Sequence, residues 1–364
     1  MYDNKLVGVV IPAHNEESFV GDVIEKVPEF VDRIYAVDDR STDDTWAAML
    51  RAVSVVNGRY AVATAAAEAA EQRAAGPAVA IQTDGGVFDK RAVAIRHERN
   101  QGVGAAIKTG YRRAVEDGLD VVAVMNGDGQ MDPEFLHVIV DPVVTGSADY
   151  AKGNRLASSD HWEGMSGWRL FGNYLLTYLT RVASGYWGMT DPQNGYTAIS
   201  VDALERIEFE SLYDQYGFLN DVLVRLKLHG MRVRDVEMRA VYGDEESGIR
   251  YRRFIPRLSW LLLQRFVQRL RVEYLGTESP PLALPYLFGL ALGALLLVGS
   301  SVALVSGAAS ATTLVGAVVY CGLLVGLGLA VDRRRGSALD GQVEGTPPSG
   351  TGPVGGPRRA EGEE

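Results

Sequence analysis

The sequence predicts an α/β fold: a mostly parallel sheet with helices on both faces, followed by an amphipathic helix and a two-helix transmembrane hairpin. Three observations predict it. Short apolar runs alternate with amphipathic stretches through the first part of the 364 residues, the pattern of parallel strands joined by crossover helices. Each apolar run ends in a small polar turn, and ligands of such sheets bind beyond the carboxyl ends of the strands. Two uncharged apolar runs of about 20 residues or more, 282–306 and 311–331, stand side by side near the C-terminal end, long enough to cross a bilayer core.

The elements follow in order. Residues 6–11 read as a buried strand and 16–27 as a helix; 33–37 read as a second strand, ending in "DDRSTDDT". Ser41 or Thr42 can cap the next helix, and Asp43 and Asp44 suit its first turn because they face the positive end of the helix dipole. Residues 92–96 are a third strand; "NQGVGAAIKTG" then opens a helix to about Asp117, and 119–125 form a fourth strand. Asp132-Pro133 starts another helix, Asp as cap and Pro in the first turn. Residues 57–90, rich in Ala, Gly and Gln, break the rhythm and read as a partly helical surface insertion in a domain spanning 1–249.

Residues 250–276 alternate Leu258, Leu261, Leu262, Phe266 and Leu270 with arginines at helical spacing, and Phe254 and Trp260 interleave with the basic residues. Such a helix suits an anionic membrane surface just before a span; the same pattern fits a basic helix packed on the domain. The short "GAAS" link between the two apolar runs makes them a hairpin. "DRRR" after the second run and the arginines before the first place both chain ends, and the large N-terminal part, on the cytoplasmic side of the cell membrane. The tail, 332–364, is rich in Gly, Pro and charge and is expected to be disordered. The N-terminus shows no basic stretch leading into a long apolar run, so no signal peptide is expected.

Bulk properties remove several function classes. A net charge of −10 argues against a general nucleic-acid binder. A single cysteine, Cys321, leaves no intrachain disulfide and no cysteine-rich metal site.

The chemistry sits at the strand ends. In "NGDGQ" (126–130), side chains two apart on an extended turn point the same way, so Asp128 and Gln130 can reach one point. A carboxylate with a carbonyl oxygen suits a hard cation, Mg²⁺ or Mn²⁺, which keeps its other positions for water and phosphate. Gly127 and Gly129 allow close backbone approach to a ligand. "VVIPAHNEE" puts Pro12, His14, Asn15 and Glu16 at the end of the first strand, and "VDDRST" puts Asp38 and Asp39 at the end of the second, where a carboxylate can accept from a base N–H or a ribose hydroxyl.

Taken in order, "VVIPAHNEE", "VDDRSTDDT", "NQGVGAAIKTG", "NGDGQMDP" and "KGNR" resemble the family 2 glycosyltransferases, and more closely the dolichyl-phosphate mannose and glucose synthases. The resemblance covers about 6–155, the insertion excepted. It implies a GT-A-type sheet, a nucleotide-diphospho-sugar donor, a divalent cation (Mg²⁺ or Mn²⁺) and an inverting transfer. It implies that Pro12, Asn15 and Glu16 hold the base or ribose and that Asp39, with Asp38, holds the base. Asp128 and Gln130 would hold the metal on the diphosphate. The family usually has Asp-x-Asp-x-Gln, and Asn126 stands here in place of the first Asp. Asn126 can still contact the nucleotide but brings no charge, so weaker or water-mediated metal binding is expected.

In polyprenyl-phosphate synthases an arginine ends the motif matched by "KGNR", and a second follows about fourteen residues later on a membrane-facing helix. Arg155 and Arg169 match, and Asn173 lies one turn beyond Arg169 on the same helix face. Two guanidiniums converging on one point make a phosphate clamp. The implied acceptor is a polyprenyl or dolichyl phosphate at a lipid bilayer, with Asp128, Arg155 and Arg169 as the groups on the reacting centre. Asp191 in "DPQNGY" and Asp221 in "FLND" stand where related transferases have functional carboxylates, and Arg250 and Arg252 could meet the donor phosphates from a closing loop. Two other readings stay open: transfer to a hydroxyl of a lipid-linked glycan, with Asp221 as base, and a catalytically weak membrane scaffold or sugar-nucleotide sensor, suggested by Asn126.

Overall fold

The computed structural model describes residues 1–75, 88–156, 167–238, 251–275 and 339–343, with scattered helical positions between 289 and 334. One eight-stranded sheet organises them. Its strands are β1 (Val7–Ala13), β2 (Arg33–Asp38), β3 (Ala92–Arg96), β4 (Val121–Val124), β5 (Tyr150–Asn154), β6 (Thr197–Ser200), β7 (Val233–Glu237) and β8 (Asp340–Val343), in the order β3-β2-β1-β4-β6-β5-β7-β8. All neighbours are parallel except β6, which runs antiparallel to β4 and β5. The register aligns Ala13 with Asp38 and Asp38 with Arg96, and Val124 and Lys152 both with Thr197. The carboxyl ends of β1 to β5 and the amino end of β6 therefore share one edge.

Helices α1 (Val20–Glu25), α2 (Thr45–Ala75) and α4 (Leu136–Val144) cover one face; α3 (Val103–Glu116), α6 (Val201–Arg206) and α7 (Phe218–Leu228) cover the other. Strand alternation divides the core between them: Val7, Val9 and Ile11 of β1 pack with Ile24, Met49 and Ile139, while Val10 packs with Ile107, Tyr111 and Leu223. At roughly 1.5–3 kcal/mol for each fully buried aliphatic side chain, this two-sided burial is what holds the sheet flat against its helices.

The helix expected from Glu16 starts at Val20. Asn15 takes a left-handed φ of 61°, and the Asn15 and Glu16 amides donate to the Ser41 and Thr45 hydroxyls at 3.0 and 2.7 Å, so 14–19 form a loop braced against the next turn. The expected helix at Asp132-Pro133 is a single 3-10 turn, Pro133–Phe135, capped by the Asp132 carboxylate and running into α4. The segment read as an insertion is helical up to Ala75 because its alanines continue α2, alanine being the best helix former; 76–87 lie outside the described residues.

α5 (Gly167–Ser184), α7 and α8 (Tyr251–Leu270) pack around Ala183, Val224, Leu258, Leu261, Leu262, Phe266 and Leu270. The leucine face that the sequence offers to a membrane thus packs on the domain, and Trp260, Leu263 and Val267 form the exposed stripe. The arginines on the inward side are paired rather than solvated: Arg265 contacts Asp221 at 2.6 Å and Arg269 contacts Asp332 at 2.8 Å. The tail also departs from expectation, because β8 adds to the edge of β7, with the Val233 amide donating to the Leu339 carbonyl at 2.8 Å. Leu339 packs against the second core cluster, which is what a short apolar segment gains by returning to the sheet. Among the described residues no helix is long and apolar enough to cross a membrane; most of the runs 282–306 and 311–331 falls outside them.

Candidate active site

Four strand ends converge on one edge of the sheet. At β1, Pro12 lies one residue before the strand's end and its carbonyl accepts from the Gly127 amide at 3.1 Å, tying the first polar turn to "NGDGQ". The Asn15 side-chain oxygen accepts from the Thr42 amide at 2.9 Å and the Glu17 carboxylate from the Asp44 amide at 3.0 Å, so the turns after β1 and β2 hold each other.

Both carboxylates at the end of β2 are engaged by protein donors. Asp38 is fully buried; one oxygen accepts from the Ser41 amide at 2.8 Å and from its hydroxyl, and the other faces Arg96 at 2.9 Å. Asp39 accepts from Gln101 N at 2.8 Å and Gly102 N at 2.7 Å and meets His97 Nδ1 at 2.7 Å. Burial alone would raise the Asp39 carboxyl; the hydrogen bonds from His97, Gln101 and Gly102 outweigh it and hold the group below the usual carboxylate range. These two aspartates, expected to hold the nucleotide base, also brace the turns at 39–42 and 97–102. The Asp39 carbonyl lies 3.0 Å from His14 Nδ1, and Asn100 reaches the same ring at 3.2 Å. Gly102 opens α3 with φ 100°, and a Cβ there would come within 2.6 Å of the Asp214 carbonyl, so only glycine fits.

At the end of β4, the Asp128 carboxylate accepts from the Gln130 amide at 3.0 Å, and Gly129 takes φ 74° to close the turn. Asn126 lies against Gly195 of the "QNGY" loop, where an added Cβ would meet its side-chain oxygen at 3.1 Å. The residue types fit a hard cation in kind: the half-buried Asp128 carboxylate and the side-chain amides of Asn126 and Gln130 in the same turn offer oxygen donors. Among the described residues no cluster of three or more His, Cys, Asp or Glu forms a metal cage.

β5 delivers Arg155. Its Nε and Nη2 donate to Asp191 at 2.8 and 3.0 Å, and its amide donates to the same carboxylate at 3.1 Å. Burial would raise the Asp191 carboxyl, but the charge and hydrogen bond of Arg155, together with the Lys152 charge, hold it below the ordinary value. Behind this pair, Lys152 and Asp235 are both almost fully buried, 3.0 Å apart. Asp235 accepts from the Thr190 amide at 2.6 Å and its hydroxyl at 3.0 Å, and Lys152 donates to the Thr190 and Asp191 carbonyls. Burial raises the Asp235 carboxyl despite the Lys152 charge. The 190–191 turn that aims Asp191 at Arg155 is thus built on a buried ion pair.

The structure gathers Pro12, Asn15, Glu16, Asp38, Asp39, Asn126, Asp128, Gln130, Arg155 and Asp191 along this edge. It does not gather Asp221, which is fully buried on α7, pairs with Arg265 and accepts from the Tyr213 amide at 3.0 Å. Arg169 and Asn173 lie on α5 and Arg252 in the first turn of α8, but their side chains, and all of Arg250, fall outside the described residues. Sequence reasoning passed over Arg96, His97, Lys152, Thr190, Gly195 and Asp235. Lys152 carried a readable signal, a charged residue inside a strand that must be buried; His97 and Arg96 sat at a strand end without a motif to mark them.

The Glycosyl transferase family 2 pattern matches this chain over residues 8–83 and 72–208. The chain is 27% identical over 242 residues to the UDP-N-acetylglucosamine–dolichyl-phosphate N-acetylglucosaminyltransferase of Methanococcus voltae, covering 66% of this chain and 88% of that one. It is 29% identical over 148 residues to the undecaprenyl-phosphate mannosyltransferase of Micrococcus luteus, covering 40% and 59%. Among solved structures it is similar to glucosyl-3-phosphoglycerate synthase from Mycobacterium tuberculosis, in complex with Mn²⁺, uridine diphosphate and phosphoglyceric acid, at 18% identity and a TM-score of 0.47 over 73% of this chain and 78% of that chain. With the strand-end motifs in place along one sheet edge and the family pattern matched over more than half its length, this chain belongs to glycosyl transferase family 2 and is a glycosyltransferase.

Proposed function

We propose that this enzyme transfers a hexose, with inversion, from a nucleotide-diphospho-sugar to a polyprenyl phosphate of the dolichyl type at the cytoplasmic face of the cell membrane, feeding protein or surface glycosylation. The observation that carries the reading is the meeting of two turns at one sheet edge: the "NGDGQ" turn lies against the 191–195 loop through Asn126 and Gly195, and that loop holds Arg155 through Asp191. That contact supports a reading in which a donor diphosphate and an acceptor phosphate would bind side by side. The relatives named for dolichyl and undecaprenyl phosphate support the acceptor class.

The proposed chemistry asks little of acid–base groups. A lipid monophosphate is already an anion, so its oxygen can attack the anomeric carbon opposite the leaving diphosphate without a general base. Asp128 and Gln130 would hold Mg²⁺ or Mn²⁺, which supplies charge stabilisation of the leaving diphosphate. Arg155, oriented by Asp191, and Arg169, with Asn173 beside it, would hold the acceptor phosphate. The protein's main contribution is to place two anions in line and offset their repulsion. The exposed Trp260, Leu263 and Val267 of α8 and Tyr174, Leu175, Tyr178 and Leu179 of α5 would face the bilayer, with the runs 282–306 and 311–331 as its spans.

The test is a transfer assay. Membranes carrying the full chain receive radiolabelled nucleotide sugars one at a time with Mg²⁺ or Mn²⁺, and the organic-phase product is treated with mild acid. An acid-labile labelled monosaccharide lipid, lost in Asp128→Ala and Arg169→Ala, is the expected result. Label confined to a larger glycolipid would refute the phosphate acceptor, and donor binding without any labelled product would refute turnover.

A further inference from the structure

The "DRRR" segment that follows the second apolar run is built into the domain. Asp332 is buried; Arg269 Nη1 and Nη2 donate to its two oxygens at 2.8 and 3.1 Å, and Trp187 Nε1 donates to one of them at 3.0 Å. Arg269 is itself fully buried and also donates to the carbonyls of Val182 and Ala183 at 2.8 and 3.0 Å, at the C-terminal end of α5. Asp332 is thereby turned inward, and the next two residues, Arg333 and Arg334, are exposed.

Beside this anchor is an open cavity of about 510 Å³ lined by Tyr178, Trp187, Leu329, Ala330, Arg333 and Arg334. Its walls divide by chemistry. Arg333 and Arg334 supply guanidiniums; Leu329 and Ala330, from the end of the apolar run, supply aliphatic surface. Tyr178 and Trp187 meet edge to face, centroids 6.4 Å apart, and supply an aromatic wall. Guanidiniums favour phosphate oxygens, aromatic rings with polar tips favour the level of lipid headgroups, and an aliphatic wall takes acyl chain.

We propose that this cavity binds an anionic phospholipid of the surrounding membrane, its phosphate at Arg333 and Arg334 and its upper acyl chain along Leu329 and Tyr178. The lipid is a bound component rather than the sugar acceptor. Charge complementarity selects the occupant: an anionic headgroup offsets the two adjacent arginines, whereas a zwitterionic one brings its own cation beside them and a neutral one brings no anion. The inference rests on the reading of 311–331 as membrane-embedded, and not on which sugar or acceptor the enzyme uses.

The full chain, purified in neutral detergent, is titrated with dihexanoyl-phosphatidylglycerol, dihexanoyl-phosphatidylcholine and inorganic phosphate while tryptophan fluorescence is read, with Trp187→Phe as the signal control. Expected are a saturable change with phosphatidylglycerol, at least ten-fold weaker binding of phosphatidylcholine, and no comparable response to phosphate alone. Arg333→Gln/Arg334→Gln weakens phosphatidylglycerol binding ten-fold or more. Ala330→Leu, which narrows the cavity and keeps both charges, weakens it as well and covers the case of a misfolded double variant. Arg169→Ala leaves it intact. Equal binding of the two lipids, an equal response to free phosphate, unchanged affinity in both cavity variants, or loss of binding in Arg169→Ala would each overturn the proposal. Because the readout needs no donor sugar, phosphatidylglycerol binding without sugar transfer sinks only the enzymatic reading, and transfer without selective binding sinks only this one.

Discussion

Asp235→Asn tests whether the buried Lys152–Asp235 pair sets the geometry of the turn that holds Asp191 against Arg155. Both side chains are about 1% exposed and their charges lie 3.0 Å apart. The substitution removes the negative charge while leaving the Lys152 ammonium in place, with an amide NH₂ turned toward it or toward the Thr190 amide. Removing one partner of a buried pair costs about 3–5 kcal/mol. The lower end applies here, because Lys152 also donates to the carbonyls of Thr190, Asp191 and Gly153 and keeps those contacts. Burial already raises the Asp235 carboxyl, so the ionised pair is not fully offset in the wild type, which pulls the same way. About 3 kcal/mol in a domain of this size lowers Tm by roughly 6–12 °C. The assay is thermal unfolding followed by circular dichroism, in a cycle with Lys152→Met and the double variant. The double should recover most of the loss, since it leaves no unpaired charge. Sugar transfer by Asp235→Asn should also fall at temperatures where the protein is folded, because Thr190 no longer holds the Asp191 turn. A single variant within about 1 kcal/mol of wild type, or a double as unstable as Asp235→Asn, would refute the reasoning.

Three further outcomes follow from the same edge. Asn126→Asp adds a second carboxylate beside Asp128 and should lower the Mg²⁺ or Mn²⁺ concentration giving half-maximal transfer by about ten-fold, whereas Asp128→Asn should reduce transfer at least about 100-fold; a metal titration of initial rates reads both. Gly195→Ala puts a Cβ 3.1 Å from the Asn126 oxygen and should raise KM for the donor several-fold with little change in Tm, checked by steady-state kinetics. Asp39 has a folded-state pKa below its ordinary 3.8, so its contribution to stability is present above about pH 4 and disappears as pH falls through the lower folded value. Tm measured from pH 6 down to pH 3 should drop more steeply in the wild type than in Asp39→Asn, and parallel curves would contradict the assignment.

The strand-end motifs were legible because they are local. Continuous apolar runs ending in polar turns at 12–16, 38–42 and 126–130 mark strand ends whatever the rest of the chain does, and the parallel register then brings them to one edge. What was not legible depends on residues far apart in the chain. The Glu16 helix starts late because Ser41 and Thr45 capture its first amides. Asp38 and Asp39 look like free acceptors in the sequence, and only the fold brings Arg96, His97 and the 101–102 amides onto them. An amphipathic basic helix has the same pattern whether its leucines meet lipid or protein. α8 buries its leucines on α5 and α7 because Asp221 and Asp332, 44 and 63 residues from their arginines, offset the cost of burying Arg265 and Arg269.

The strand β8 constrains topology by parity. Residues 340–343 add directly to β7, so they and the catalytic sheet occupy the same compartment, and the Arg269–Asp332 contact makes the same demand eight residues earlier. Under the proposed membrane reading, the runs between them must cross the bilayer an even number of times, a requirement set by hydrogen bonds rather than by flanking charge. The same pairing orders biogenesis: the outermost strand is translated after both apolar runs, so the sheet edge at β7 stays open until both runs have been made.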